Sequence, residues 1–205
     1  MAVNLKEGVS SRKFPKLESP RLVLRQVTFD DCESLFQCMT HPLVRSNTGL
    51  HPETLLFPER LFRYFNECYD NLRDLHFAVE LTGPGSIIGL CSLQYWEQRT
   101  GKARLGYMIS PSYWGRGYAT EAAQLLIRYG FEALGLRRIE ARCASTNPAS
   151  ERVLQKCGMS YVKANPAGLE HSGKNGRMKV YAADRQETTS KPVSVPVCYT
   201  NEILL

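Results

Sequence analysis

The residues best suited to chemistry form a glycine-rich segment between an apolar run at 103–110 and the most strongly helical stretch of the chain. The segment spans 113–122 and has the sequence YWGRGYATEA. A helix start leaves backbone N–H groups without intrahelical partners, and the helix dipole adds partial positive charge there. Gly115 and Gly117 let an anion approach closely, and Arg116 adds a full charge. The segment therefore predicts a phosphate-binding turn, although glycine is also favoured in strand-to-helix turns that bind nothing.

A second candidate group begins at Asn147, which precedes Pro148 at the start of a short predicted helix. Asn before Pro is a normal N-cap arrangement, so a structural role for Asn147 stays open beside a ligand contact. Ser150 follows three residues later and lies near the same face of the helix. The spacing therefore places both side chains near one face at the start of this helix.

Both segments resemble the GNAT acetyltransferase superfamily. The glycine-rich turn is similar to the family's acetyl-CoA pyrophosphate loop, Gln/Arg-x-x-Gly-x-Gly/Ala, with Trp114 at its first position as in the RimJ/RimL-like branch. The stretch 147–159 resembles that branch's N-x-x-S-x-x-[VI]-[LM]-x-[KR]-x-G-[FM] motif. The opening at 19–25 is a third, weaker match, and the resemblance spans about residues 19–184.

The resemblance implies that acetyl-CoA is the cosubstrate and that its pyrophosphate binds the glycine-rich turn. It also implies a gap between two sheet strands that holds the pantetheine arm, with a strand bulge at 106–108. One backbone N–H in this strand would point at the thioester oxygen, where negative charge develops. The expected cofactor contacts are Met108, Ile109, Ser110, Trp114, Gly115, Arg116, Gly117, Tyr118, Ala119, Thr120, Asn147 and Ser150.

The resemblance further implies direct acetyl transfer to a primary amine, which in RimJ/RimL-like relatives is a protein N-terminal amine. Ser150 is the expected acid that protonates the departing thiolate, and a plain cofactor contact or a structural serine are the alternatives. Many family members carry a glutamate two residues before the strand glycine, where this chain has Arg104. The RimL-like alternative is a glutamate shortly before the last hairpin turn, so the resemblance implies Glu170 as the base, with the neighbouring His171 as the second candidate. Either could instead be a solvated loop residue.

Other functions remain open on the sequence alone. A non-catalytic acyl-CoA-binding module is consistent with Arg104, and the acceptor could instead be a polyamine, an amino acid or an antibiotic. A nucleotide-binding P-loop does not fit, because Gly117 is followed by tyrosine rather than by lysine and Ser or Thr. The acceptor groove would be formed by loops at 40–60 and 165–175. Its candidate lining residues are His41, Arg45, His51 and the aromatic residues of 57–69.

Hydrophobic periodicity places these residues on a mixed α/β fold. It predicts strands at 21–25, 75–81, 87–95, 103–110, 137–144, 159–164 and 176–183. It predicts helices at 28–39, after Pro58, at 118–134 and at 148–157. The resemblance implies that this is a GNAT fold, with a mixed but mostly antiparallel central sheet of about six to seven strands flanked by helices. This domain would occupy residues 19–185, after a flexible arm at 1–18 and before a C-terminal tail of unknown role at 186–205.

The composition of the 205 residues, 43% hydrophobic and 22% charged, is that of a soluble globular domain. The net charge of +6 suits a polyanionic cofactor, whereas scattered basic residues without interleaved aromatics disfavour nucleic acid. The seven cysteines show no C-x-x-C spacing, so we expect no disulfide framework, no metal and a reducing, cytoplasmic location. No run has the length needed to cross a membrane. The sequence leaves the oligomeric state open.

Overall fold

The computed structural model describes residues 14–47, 57–165 and 178–186. One eight-stranded sheet organises this part of the chain, in the order β1-β2-β3-β4-β5-β6-β8-β7. The strands are β1 Leu17–Glu18, β2 Leu22–Gln26, β3 Leu75–Leu81, β4 Ile87–Glu97, β5 Lys102–Ile109, β6 Arg138–Ala144, β7 Ser160–Asn165 and β8 Met178–Asp184. All neighbouring pairs are antiparallel except β5 and β6. The expected mixed, mostly antiparallel α/β fold is confirmed.

Helices cover both faces of the sheet. Their bounds are α1 Cys32–Thr40, α2 Pro42–Arg45, α3 Pro58–Asp70, α4 Tyr118–Glu132 and α5 Pro148–Lys156. Phe77 and Ala78 are neighbours on β3, and their side chains point to opposite faces as in any strand. Phe77 belongs to the buried cluster that includes α4 and α5, and Ala78 to the cluster that includes α1 and α3. Among the described helices, none is both long and apolar enough to cross a lipid bilayer.

The parallel strands β5 and β6 separate part of the way along their length. They pair from Lys102–Arg138 to Leu105–Ala141, and the pairing stops there although β5 continues to Ile109 and β6 to Ala144. A parallel pair requires a crossover connection, and here α4 makes it. The last residues of β5 therefore border a gap, as the resemblance to the family implies.

The fold begins earlier than the sequence predicted. The expected flexible arm over 1–18 is wrong at its C-terminal end, because Leu17 is fully buried and β1 pairs with β2. The Phe14 ring also packs against the rings of Tyr69 and Phe77. β1 raises the number of strands from the expected six or seven to eight. The sequence did not predict it, because two residues are too few to show the polar–apolar alternation of a strand. The rest of the arm, and the tail after residue 186, lie outside the described residues.

An ion-paired network fixes the start of α1 against β2. The Arg25 guanidinium donates to both carboxylate oxygens of Asp31, at 2.6 and 2.9 Å, and pairs with Glu80 on β3. The Thr28 N–H donates to Asp31 Oδ2 at 2.7 Å, as the predicted helix start requires. Burial alone would raise the pKa of Asp31, but the hydrogen bonds from Arg25 and Thr28 outweigh it and hold that pKa below its ordinary value.

Candidate active site

The glycine-rich turn directly precedes α4, and its backbone explains why glycine is needed. Gly115 and Gly117 have φ angles of 76° and 81°, in the left-handed region that side chains disfavour. Gly117 is the N-cap of α4, and its carbonyl accepts the first helical hydrogen bond, from the Glu121 N–H at 3.0 Å. The N–H groups of residues 118–120 precede that bond and so have no acceptor within the helix. The turn therefore offers an anion a set of neighbouring donors at the positive end of a helix dipole.

The turn between β1 and β2 braces the glycine-rich turn from the side. Arg21 Nε donates to Glu121 Oε2 at 2.7 Å, and Arg21 Nη1 donates to the Arg116 carbonyl at 3.0 Å. Ser19 Oγ donates to Glu121 Oε1 at 2.8 Å. The Arg21 guanidinium also lies 4.8 Å from the centre of the Tyr118 ring. Sequence reasoning matched 19–25 to the family but assigned these residues no role, because their partners lie about 100 residues away.

A cleft of about 510 Å³ opens beside this brace. Three of its lining residues are cationic, Arg21, Arg128 and Lys156, whereas its one carboxylate, Glu121, already pairs with Arg21. The cleft therefore favours an anionic ligand. Its other lining residues are Ser19, Pro20, Gly117, Thr120, Gln124 and Leu125.

The end of β5 turns backbone donors into the gap beside β6. Ser110 N–H donates to the Ile88 carbonyl at 2.8 Å, so it cannot serve a cofactor as the sequence analysis expected. Backbone groups alternate in direction along an antiparallel strand. With the β4–β5 register, this directs the Tyr107 and Ile109 N–H groups away from β4 and into the gap, and the Met108 N–H toward β4. Of the three predicted strand donors, Ile109 is therefore the one that faces the gap.

Gly106 does not mark a bulge, contrary to expectation. The β4–β5 register runs without a shift from Gly89–Ile109 to Gln94–Arg104. A Cβ on Gly106 would lie 3.1 Å from Ser92 Oγ and 3.3 Å from Gln94 Nε2, so the glycine makes room for side chains of β4. The gap arises from the separation of β5 and β6, and not from an extra residue in β5.

Trp114 connects the glycine-rich turn to the same strand end. Its indole Nε1 donates to the Ile109 carbonyl at 2.6 Å, while 46% of its surface stays exposed. The contact fixes the turn at the mouth of the gap. The glycine-rich turn and the end of β5 are therefore direct neighbours in the structure.

Ser150 lies at the start of α5, where its hydroxyl meets a tyrosine of β5. Asn147 Oδ1 accepts the Ser150 N–H at 3.0 Å, so the N-cap role of Asn147 is present in the structure. Ser150 Oγ lies 2.8 Å from the Tyr107 hydroxyl, and Tyr107 also donates to the Ser150 carbonyl at 3.1 Å. Burial raises the pKa of Tyr107 well above its usual range, although the bond to Ser150 opposes the shift. Tyr107 thus remains a neutral hydroxyl that can orient Ser150.

Sequence reasoning missed Tyr107 as a functional candidate. The period of two puts its side chain on the face of Leu105 and Ile109, which points to the core. The partner lies 43 residues away, and only the fold brings the two hydroxyls together. A polar ring within an otherwise apolar strand face was the available signal.

The residue after Ser150 anchors α5 to the sheet. Glu151 accepts hydrogen bonds from Lys179 Nζ, at 2.8 and 2.9 Å, and from the Tyr181 hydroxyl. The hydrogen bond from Lys179 is the main cause that lowers the pKa of Glu151. Lys179 and Tyr181 both lie on β8, so the anchor fixes the angle at which α5 presents Ser150 to the gap.

The opposite sheet face, toward α1 and α3, carries Arg104. Its guanidinium lies 4.1 Å from the centre of the Tyr95 ring, and Nη2 donates to Gln94 Oε1 at 3.1 Å. Gln94 in turn donates to the buried Ser92 hydroxyl at 3.1 Å. This face therefore presents a cation and an amide next to Gly106, where many family members carry a carboxylate.

Several sequence candidates have a different role or no described position. His41 caps α2, because its Nδ1 accepts the Leu43 N–H at 3.2 Å. Arg45 lies exposed in the last turn of α2. Glu170, His171 and His51 lie outside the described residues, as do parts of both expected groove loops.

Comparison with known proteins agrees with this geometry. The sequence model of the family described as "Acetyltransferase (GNAT) domain" matches residues 21–160. "Uncharacterized N-acetyltransferase YoaA" of Bacillus subtilis is 35% identical over 146 residues, which are 71% of this chain and 82% of that protein.

Solved structures show the same fold. An acetyltransferase of the GNAT family from Bacillus anthracis superimposes with a TM-score of 0.70 at 27% identity, over 83% of this chain and 98% of that one. A putative ribosomal-protein-serine acetyltransferase from Vibrio cholerae gives a TM-score of 0.69 at 25% identity, over 82% and 97% of the two chains. With the family match across most of the described fold, these likenesses show that the chain belongs to the GNAT acetyltransferase family and is an acyltransferase enzyme.

Proposed function

We propose that this enzyme transfers the acetyl group of acetyl-CoA directly to the N-terminal amine of a peptide or protein. One observation carries the proposal: the anion-binding turn, the gap beside β5 and the Tyr107–Ser150 pair meet at one end of one strand. Each part suits one portion of the same reaction. The turn suits the pyrophosphate, the gap suits the pantetheine arm, and the hydroxyl pair suits the leaving sulfur.

Charge and backbone geometry support the cofactor assignment. The N–H groups of residues 118–120 can bind pyrophosphate oxygens, with Arg116 adding charge at the turn. Arg21, Arg128 and Lys156 give the neighbouring cleft the positive potential that further phosphate on the nucleotide end would need. Of the residues expected to bind the cofactor, Trp114 contributes by fixing the turn to Ile109.

In the gap, the N–H groups of Tyr107 and Ile109 offer the pantetheine amides the partners that a neighbouring strand would supply. Beyond Leu105 no pairing with β6 uses this edge of β5. An extended arm can therefore lie in the gap as an added strand. One of the two donors can also stabilise the thioester oxygen as it gains negative charge.

Ser150 is the proposed acid. As the amine attacks the thioester carbon, the carbon–sulfur bond breaks, and the departing thiolate takes the proton from Ser150 Oγ. Ser150 regains a proton from solvent, and the proton that the amine nitrogen loses on forming the amide balances it. Tyr107 is a positioning residue, because its hydroxyl holds Ser150 Oγ from 2.8 Å. The transfer needs no covalent enzyme intermediate, since the amine attacks the thioester itself.

The sheet face toward α1 and α3, which carries Arg104 and is here called the acceptor face, favours a peptide acceptor over a polyamine. Arg104 places a cation there, and among the described side chains of this face the carboxylates of Asp31 and Glu80 are already paired with Arg25. A polycation would meet repulsion from Arg104 where it approaches Gly106. A peptide N-terminus instead presents one amine together with carbonyl oxygens that Arg104 and Gln94 can bind.

Glu170 remains the proposed base, on the resemblance to the family and on the presence of Arg104 where a carboxylate is common. A carboxylate can take the proton of the attacking amine directly or through a water molecule. His171 is the second candidate.

A cytoplasmic location is proposed on the cysteines. All six cysteines of the described residues are unpaired, which suits a reducing compartment. A disulfide found in the protein isolated from its native cell would contradict this assignment.

An acceptor screen tests the proposed reaction. With acetyl-CoA, peptides that have a free N-terminus should release thiol and gain an acetyl group on the N-terminal nitrogen. The same peptides with a blocked N-terminus should not react, and spermidine should show a kcat/KM at least ~10-fold lower, because Arg104 repels it. Preference for spermidine, or no thiol release with any peptide, would contradict the proposed acceptor.

Substitution of Gly117 tests the anion-binding turn. Gly117→Val should weaken coenzyme A binding at least ~10-fold, because a branched side chain is strained at positive φ and obstructs the anion. Gly135→Val is the matched control, since Gly135 has a φ of 65° with nothing within 4 Å of an added Cβ and lies outside the site. Calorimetric titration should find the loss only in Gly117→Val, and equal affinities in the two variants would show that the turn does not bind the cofactor.

Substitution of the hydroxyl pair tests the acid. Ser150→Ala should lower kcat about 10²-fold and leave the coenzyme A dissociation constant nearly unchanged. Tyr107→Phe should lower kcat roughly 5-fold, as loss of one hydrogen bond predicts, and should add little in the Ser150→Ala background. If cofactor affinity falls as far as kcat does, Ser150 is a binding contact and the acid lies elsewhere.

The pH dependence of Glu170→Gln tests the base. The variant should lose turnover most near neutral pH and recover part of it at higher pH, where the acceptor amine loses its proton to solvent. A loss mainly in KM that shrinks with added salt would instead indicate attraction of a cationic acceptor. A pH profile that overlays the parent profile removes Glu170 from the mechanism.

A further inference from the structure

Three residues with metal-ligating side chains meet below the acceptor face, outside the site described above. Cys68 lies near the end of α3, Asp74 in the turn after it and His76 on β3. All three are buried, with exposures of 1%, 8% and 5%. One ligand atom of each lies within 4.8 Å of the others. No other such group occurs in the parts of the chain that the structure describes.

A tight turn in the backbone brings the three residues together. The Cys68 carbonyl accepts the N–H groups of Arg73 and Asp74, at 3.0 and 3.4 Å. Leu72 within the turn has a φ of 51°, which a branched side chain disfavours. Asp74 Oδ1 accepts the N–H of Tyr95, whose φ is 52°, at 2.7 Å. These are the two non-glycine residues with positive φ in the described ranges, and both flank the cluster.

His76 has a buried ring without a hydrogen bond. Neither Nδ1 nor Nε2 has a hydrogen-bond partner, and Asp74 Oδ2 lies 3.7 Å from Nε2. The rings of Tyr64 and Phe65 pack against the imidazole at centroid distances of 5.7 and 4.8 Å. Buried polar atoms almost always have a partner, so an imidazole aimed at a carboxylate and a thiol indicates a missing ligand.

We propose that Cys68 Sγ, Asp74 Oδ2 and His76 Nε2 bind a divalent metal ion of the zinc class. Thiolate, imidazole and carboxylate are the ligands that zinc takes in proteins. Tetrahedral zinc with bonds of about 2.0–2.3 Å holds its ligand atoms roughly 3.3–3.8 Å apart. The 3.7 Å between His76 Nε2 and Asp74 Oδ2 already fits this range, and no ligand atom of the cluster is more than 4.8 Å from another. A water molecule completes the four-coordinate shell.

Binding requires a proton to leave and an arginine to move. The Cys68 thiol gives its proton to solvent and binds as the thiolate, while His76 binds as the neutral imidazole. Arg73 Nη2 lies 3.1 Å from Cys68 Sγ, so the sulfur already has a cation beside it. The Arg73 side chain is 62% exposed and can turn outward when the metal takes its place.

The metal would fix the corner between α3 and β3. Asp74 also holds the Tyr95 backbone, and the Tyr95 ring lies under Arg104 on the acceptor face. Loss of the metal would therefore loosen the acceptor side and leave the cofactor site untouched. The inference does not depend on the proposed acceptor, because its readout is metal binding.

Cobalt titration of the full chain tests the site. Protein stripped with a chelator should bind one equivalent of Co(II), with the near-ultraviolet thiolate-to-cobalt absorption and the visible bands of a tetrahedral ion. Zn(II) should displace the cobalt and raise the thermal midpoint. Cys68→Ser should abolish the thiolate absorption, and His76→Gln should weaken cobalt binding at least ~10-fold.

Two further variants make the result specific. Cys38→Ser removes another buried thiol, on α1, and should leave the cobalt spectrum unchanged. Arg73→Ala should tighten cobalt binding, because it removes the competing cation, and weaker binding would contradict the proposal. No thiolate-to-cobalt absorption in the parent protein, or the same absorption in Cys68→Ser, would overturn it and leave His76 and Asp74 as a direct pair or a water-bridged one.

Discussion

The early end of the parallel pairing between β5 and β6 is the constraint around which the site is arranged. Beyond Leu105 and Ala141 the strands no longer bond, so the outward N–H groups of Tyr107 and Ile109 are offered to a ligand. Buried backbone groups require partners. An extended ligand with amide carbonyls can supply these partners. The rest of the site lies around this edge of β5.

Topology brings the other parts to the same place. Because β5 and β6 are parallel, a crossover connection must join them, and the start of the helix in that connection, α4, lies at the open end of β5. The glycine-rich turn is thereby fixed next to the gap, and Trp114 binds it to Ile109. The chain after β6 leads into α5, which begins on the far side of the gap. Ser150 at the start of α5 therefore faces Tyr107 across the gap.

The sequence predicts those features that depend on short spacings. The glycine-rich turn, the apolar face of α4 and the N-cap at Asn147 each depend on residues at most four positions apart. The structure contains all three. The sequence could not show contacts that span the fold, such as Tyr107 with Ser150 or Arg21 with Glu121. It also misassigned Gly106, because a strand glycine that accommodates a neighbouring side chain looks the same as one in a bulge.

The Cys68, Asp74 and His76 cluster shows the same limit of sequence reasoning. Its spacing matches no common metal motif, and only the turn at Leu72 makes its members neighbours. The Arg25–Asp31 pair and this cluster both connect the helices of the acceptor side to the sheet. The acceptor side therefore combines these polar contacts with its own apolar cluster, which joins α1 and α3 to the sheet.

A crystal structure of the chain with coenzyme A is the most direct test of the claim that the separated strands form the cofactor site. We expect the pantetheine amides within hydrogen-bond distance of the Tyr107 or Ile109 backbone, the sulfur near Ser150 and the pyrophosphate on the N–H groups of residues 118–120. Coenzyme A bound elsewhere, or a gap that β6 closes by pairing with β5 along its full length, would contradict the account.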